Sequence, residues 1–207
     1  MKRSMAAIAG AALLFTACGS PEFQYPHDAA EGVYFKVPSS WTVTDTTEGF
    51  YEDRVPGGST AQPLRVWAID SNEPADVANI DLGDGDKPVG TAQIIALSAG
   101  LSENVSISSV RSVGLEFDPV NPATGLESTW EVVTDQPLRT DDGISGAVAV
   151  WNHRDTTADE WLSQAREVFV DPTRQRVYIL DLYCTAKCFD TYRDDIFDVL
   201  GSWRIDL

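Results

Sequence analysis

The segment Trp161-Leu-Ser-Gln-Ala-Arg-Glu-Val-Phe-Val170, then Asp171-Pro-Thr-Arg-Gln175, then Arg176-Val-Tyr-Ile-Leu-Asp-Leu-Tyr183 decides the fold class. Two runs rich in β-branched and aromatic residues flank a five-residue stretch of turn formers, the pattern of a β-hairpin. Upstream, residues 127–135 and 144–151 read as two further strands, with Asp141-Asp142-Gly143 turning between them. Downstream, residues 189–200 carry Phe189, Tyr192, Ile196, Phe197 and Leu200 on one helical face, with Asp190, Arg193, Asp194 and Asp198 opposite. Gly201 ends that helix and residues 202–207 form a last short strand.

The first half is less periodic. Residues 33–37, 41–43, 49–52 and 64–69 read as strands. Residues 72–88 are acidic and broken by Gly and Pro, hence a loop. Ala92, Ile95, Ala96 and Ala99 lie at helical spacing and predict a helix within 89–101, and residues 105–113 alternate enough to predict a strand. Strands in series with covering helices make an α+β protein: an antiparallel sheet flanked by helices.

The stretch "GVYFKVPSSW" at 32–41, the run of strands, the late helix and the closing "LGSWRI" together resemble the PsbP-like fold. A photosystem II extrinsic subunit, Ran-binding Mog-type proteins and mycobacterial lipoproteins of the LpqN type share it. In Phe35-x-Val37-Pro38-x-x-Trp41 a strand is stopped by Pro and followed by an aromatic that plugs the sheet. The resemblance implies an α/β/α sandwich over 32–207 and a non-catalytic binding or scaffolding role. It brings no universal active site, so no residue roles transfer.

The chain opens Met1-Lys2-Arg3-Ser4, and an apolar run follows from Met5 to Phe15, too short for the roughly 20 residues that cross a bilayer. This is a secretory signal, not a fold element. The run closes on Leu14-Phe15-Thr16-Ala17-Cys18-Gly19-Ser20, which resembles the bacterial lipobox; Phe15 stands where Leu is usual. The resemblance implies a signal over 1–17, a diacylglyceryl group and further acylation (palmitate) at Cys18, and an extracytoplasmic protein anchored to a membrane. Residues 18–31 are polar, with Pro21 and Pro26, and read as a flexible tether.

With Cys18 given to lipid, Cys184 and Cys188 remain, and an even pair in an exported domain reads as a disulfide. Acidic residues outnumber basic ones 32 to 15, for a formal charge of −17, which argues against nucleic acid as a partner and against electrostatic adhesion to anionic lipid. No nucleophile elbow, phosphate loop or paired-histidine metal motif occurs. His27 falls in the tether and His153 in a loop, neither at ligand spacing from the cysteines. No catalytic residue and no cofactor is assigned. Asp81, Asp84 and Asp86 alternate with Gly and are the candidates for a Ca²⁺ loop, against a plain acidic loop; they do not match EF-hand spacing. Tyr51, Trp67, Trp130, Trp151 and Trp161 either line a ligand groove or fill the core.

These readings converge on a lipid-anchored binding module of the cell envelope, its partner an envelope protein or a small ligand. The alternatives are a carrier with an enclosed apolar cavity and an envelope enzyme, or enzyme accessory, with convergent acids in a cleft.

Overall fold

The computed structural model describes residues 21–48, 61–72, 74–76, 80, 85–115, 117–122, 128–140, 142–155 and 159–206. In chain order the elements are β1 (Phe23–Gln24), β2 (His27–Asp28), β3 (Val33–Tyr34), β4 (Val37–Pro38), β5 (Thr42–Asp45), β6 (Ala61–Asp70), β7 (Val89–Leu97), α1 (Ala99–Asn104), α2 (Ile107–Val110), β8 (Trp130–Arg139), β9 (Ser145–Asp155), β10 (Glu160–Val170), β11 (Arg176–Thr185), α3 (Ala186–Thr191), α4 (Arg193–Leu200) and β12 (Arg204–Ile205). Seven strands form one sheet in the order β5-β6-β7-β11-β10-β9-β8, with antiparallel pairing throughout.

The hairpin that opened the reading forms at the centre of this sheet, with Val170 opposite Val177. Its turn is held by the Asp171 carboxylate, which accepts from the backbone N–H groups of Gln175 (2.7 Å) and Arg176 (3.1 Å), while Arg174 takes positive φ. At β7, Gly90 lies so close to β11 that a Cβ would meet the Asp181 carbonyl at 1.8 Å.

Alternation along the strands makes two apolar layers. One face of the sheet offers Trp67, Ile94, Phe169, Tyr178, Leu180 and Leu182 to Phe35, Trp41, Phe189, Ile196, Leu200 and Trp203 of the N- and C-terminal segments. Here the Phe-x-Val-Pro-x-x-Trp stretch acts as read: Phe35, Val37 and Trp41 are buried, and Phe35 packs between Trp67 (5.5 Å, edge-on) and Trp203 (5.2 Å, stacked). The Ser202 hydroxyl accepts from the Lys36 N–H (2.9 Å) and donates to the Val199 carbonyl (2.6 Å), tying the end of α4 to this segment. Glu167 is buried on this face beneath Arg204, and its Oε2 has no hydrogen-bond partner among the described residues. The other face packs Ile95, Val168, Val177 and Ile179 against Val105 and Val110 of the α1–α2 region.

Four expectations are corrected. The helix over 89–101 is mostly β7, and only Ala99–Asn104 is helical. A central strand covered on both faces is apolar on both, so its residues also satisfy a helical template. The strand over 105–113 is instead α2 with turns around it, started by a capping box between Ser106 and Ser109. The helix over 189–200 extends back to Ala186 and divides at Tyr192 into α3 and α4. The tether over 18–31 is ordered against the domain from its middle onward: Phe23–Gln24 pairs with β4, and His27–Asp28 with β3. Asp28 explains much of that order. Buried, its carboxylate accepts from the Ala30 and Glu31 N–H groups and from Arg65 Nε at 2.7 Å. Burial opposes its ionisation, yet the Arg65 and backbone hydrogen bonds hold its pKa below the usual carboxylate range. The result is a mostly antiparallel β protein with few, short helices; among the described residues there are no full helical layers on both sides.

Candidate functional site

The site is built at the β8 edge of the sheet, on the α1–α2 face. In β9, Trp151 and His153 point to that face, and the antiparallel register sets Val132 opposite Trp151 and Trp130 opposite His153. Trp130 stacks on Trp151 (ring centroids 6.3 Å, planes 12° apart) and on His153 (5.5 Å, 28°). Phe117, from the segment after α2, meets Trp130 edge-on at 5.1 Å and Trp151 at 6.5 Å. Between Val132 and Thr134 the β8–β9 register shifts. That irregularity leaves Val132 and Val133 exposed (40% and 46%), beside Phe117 (40%).

A polar framework fixes this aromatic shelf. The Trp130 indole N–H donates to the Pro119 carbonyl at 2.8 Å. Arg111 grips Asp118 through two hydrogen bonds (2.9 and 3.2 Å) and reaches Asp135 at 3.6 Å. The Asp118 contact foremost raises the Arg111 pKa; burial opposes ionisation of Asp118, but the Arg111 bond outweighs it and lowers its pKa. Arg111 is itself anchored from below. The buried Arg166 guanidinium donates to the Arg111 and Val113 carbonyls (3.0 and 2.8 Å) and makes a two-pronged bond to Asp181 (2.7 and 2.6 Å). At the floor of the shelf, Trp151 Nε1 and His153 Nδ1 lack partners among the described residues. Burial lowers the His153 pKa, against the opposing charge of Asp155, and so favours the neutral ring.

The aromatics read from the sequence as groove or core are divided by the sheet. Trp67 lies in the core of the opposite face, Trp151 and Trp130 are the shelf, and Trp161 is exposed at the start of β10 with its side chain on the opposite face. Tyr51 lies outside the described residues. His153 is in β9 and not in a loop; His27 is exposed in β2. Of the acidic candidates, Asp86 is exposed, and Asp81 and Asp84 lie outside the described residues, as does Cys18. Among the described residues no cluster of His, Cys, Asp or Glu is placed to hold a metal ion. Cys184 and Cys188 form a disulfide, Cα atoms 5.9 Å apart, across the β11–α3 junction. No helix among the described residues is long and apolar enough to cross a membrane.

Sequence reasoning missed Phe117, Val132 and Val133. Two adjacent apolar residues in an alternating strand were the available signal, since one of them must face solvent unless the strand is buried on both sides.

No protein-family model matches the chain, and no curated protein matches it in sequence. Solved structures do. Cyanobacterial PsbP (CyanoP) from Synechocystis sp. is similar over 92% of this chain and 96% of its own, at 12% identity and a TM-score of 0.52. The fold is PsbP-like. Looser likenesses join it. LpqN of Mycobacterium tuberculosis, described as involved in cell envelope biogenesis, is 16% identical over 89% of this chain and 91% of its own, with a TM-score of 0.49. The Ran-binding protein Mog1p of Saccharomyces cerevisiae is 9% identical over 90% and 96%, with a TM-score of 0.46. At 12% identity the likeness to CyanoP shows the fold alone.

Proposed function

We propose that this protein is a lipoprotein of the extracytoplasmic membrane face, acylated at Cys18 after removal of residues 1–17, and that its PsbP-like domain is a non-catalytic binding module of the cell envelope. The exposed side chains of Phe117, Val132 and Val133, with the half-buried Trp130, form the shelf that carries the binding part of this reading. Aromatic and aliphatic side chains on a rigid sheet, with a polar framework at the rim, are the composition of a protein contact surface. The signal and Cys18 rest on the lipobox-like sequence alone.

The rivals lack comparable support among the described residues. A carrier calls for an enclosed apolar cavity, whereas the groove of about 510 Å³ beside α1 is open and mixes Leu64 and Leu97 with Glu103, Gln175 and Arg176. An enzyme with paired acids calls for two convergent carboxylates; that groove holds one.

Two measurements test the proposal. Cys18→Ser is expected to abolish labelled-palmitate incorporation and membrane sedimentation; unchanged labelling overturns the anchor. A photo-crosslinking residue at Phe117 or Val132 in the full-length cellular protein is expected to yield one discrete protein adduct. An adduct with lipid or glycan supports the carrier instead, and no adduct at either position overturns the shelf as a binding surface.

A further inference from the structure

A second exposed aromatic surface lies on the opposite side of the molecule, over the layer built by β1–β4, α4 and β12. It is a groove of about 340 Å³ lined by Tyr25, Tyr34, Lys36, Phe197, Asp198 and Arg204, with Gly201 and Ser202 at its floor. The sequence builds it by alternation. Val33 turns into the core and Tyr34 out of it, where the register sets Tyr34 between His27 of β2 and Arg204 of β12. On α4, Ile196 and Leu200 face the core, leaving Phe197 and Asp198 outward. Tyr25, Tyr34 and Phe197 are 62%, 42% and 37% exposed. Lys36 lies over the Phe23 ring (4.3 Å) and pairs with Asp198 at 3.1 Å. Lys36 and Arg204 stand beside three exposed aromatics, Lys36 with Asp198 as its counter-charge.

Covalent geometry says what this surface meets. The Glu22 carbonyl accepts from the Ser39 N–H at 2.9 Å, so the chain is fastened to the domain at Glu22. Three residues, Gly19 to Pro21, lie between Cys18 and Glu22, so the four Cα-to-Cα steps reach at most roughly 14 Å. An acylated Cys18 therefore keeps this layer beside the bilayer, and Tyr25 leaves β1 next to that attachment. Tyrosines with apolar bodies and polar tips, flanked by Lys and Arg, are the side chains that settle at the headgroup level. Three half-exposed rings bury too little area to hold a protein on lipid by themselves. The tether changes that by setting an effective concentration on the order of millimolar, at which a weak contact is occupied.

We infer that the Tyr25–Tyr34–Phe197 surface is the face this protein lays on the lipid headgroups once Cys18 is acylated. This rests on the lipoprotein reading above. Its consequence is an orientation: the sheet stands between the two aromatic surfaces, so the Phe117–Trp130 shelf is turned away from the membrane and toward partners.

Spin labels test it in the full mature chain, reconstituted into vesicles of phosphatidylethanolamine and phosphatidylglycerol. Labels are placed by Tyr25→Cys and, independently, Tyr34→Cys, with Glu103→Cys of α1 on the opposite face as reference. Acylation of each sample is read from the mass of its N-terminal peptide. The expected result is a several-fold lower collision rate with a water-soluble nickel relaxant at 25 and 34 than at 103, together with a higher rate with oxygen. Acylated protein with equal nickel access at all three positions overturns the orientation alone. An unacylated Cys18 overturns the anchor and the orientation with it. Spin–spin broadening at 25 and 34 that survives transfer to detergent assigns the surface to a second copy and also overturns it.

Discussion

Replacing Arg166 tests whether the α2 segment and the shelf above it hang from one buried clamp. Arg166 and Asp181 face each other in register on β10 and β11, and their side chains are 3% and 7% exposed. Besides its two bonds to Asp181, the guanidinium satisfies the Arg111 and Val113 carbonyls. Arg166→Met leaves Asp181 buried without its counter-charge, a loss of about 3–5 kcal/mol when a buried pair is broken from one side. At roughly 2–4 °C per kcal/mol for a domain of this size, the melting midpoint falls by about 10 °C. Asp181→Leu is expected to cost a similar amount. The double variant removes both charges and costs less than the sum, with a coupling of about 2 kcal/mol, but it does not return to wild type because the two carbonyls stay unsatisfied. Urea unfolding followed by tryptophan fluorescence gives all three values. Because Arg111 carries Asp118, and Pro119 receives the Trp130 N–H, amide exchange over 106–121 accelerates in Arg166→Met more than over β10 and β11. A loss below about 1 kcal/mol for Arg166→Met, or additive single costs, refutes the clamp.

Two further outcomes follow from the core. Burial raises the Glu167 pKa from 4.5 to about 8, with Arg204 acting weakly the other way. The unfolded chain ionises this group first, so the contribution of Glu167 to stability is greatest below pH 4.5 and is lost as pH rises toward 8, at up to about 1.4 kcal/mol per pH unit. Glu167→Gln is expected to flatten the dependence of the urea midpoint between pH 5.5 and 8, and parallel profiles for the two proteins contradict this. Reducing Cys184–Cys188, which closes a short loop at the start of α3, is expected to cost about 2 kcal/mol; an unchanged unfolding midpoint in dithiothreitol counts against it.

The legible part of the fold was the part with clean periods. The strands of the second half formed within a few residues of their predicted ends, because each alternates or is bounded by turn formers such as Asp171 to Gln175. β7 was hidden because buried positions fall on both of its faces, and two polar side chains, Thr91 and Gln93, are too few to show a period of two. The N-terminal arm was hidden because its order comes from distant partners. Asp28 finds Arg65 thirty-seven residues on, and Glu22 finds Ser39. The shelf was half visible: Trp130 and Trp151 stood out, but nothing local says that Trp67 and Trp161 lie across the sheet from them.

Local chemistry written in the chain determined the hairpin and its turn, the Phe35–Trp41 plug and the cysteine pair, since each depends on neighbours in sequence. Tertiary structure alone decided which face each aromatic occupies, that residues 23–28 belong to the body, and that two exposed aromatic surfaces lie on opposite sides of one sheet. The physical reason is register. A side chain's face is set by its strand's parity against strands tens of residues away, and shifting one residue moves it from one surface to the other.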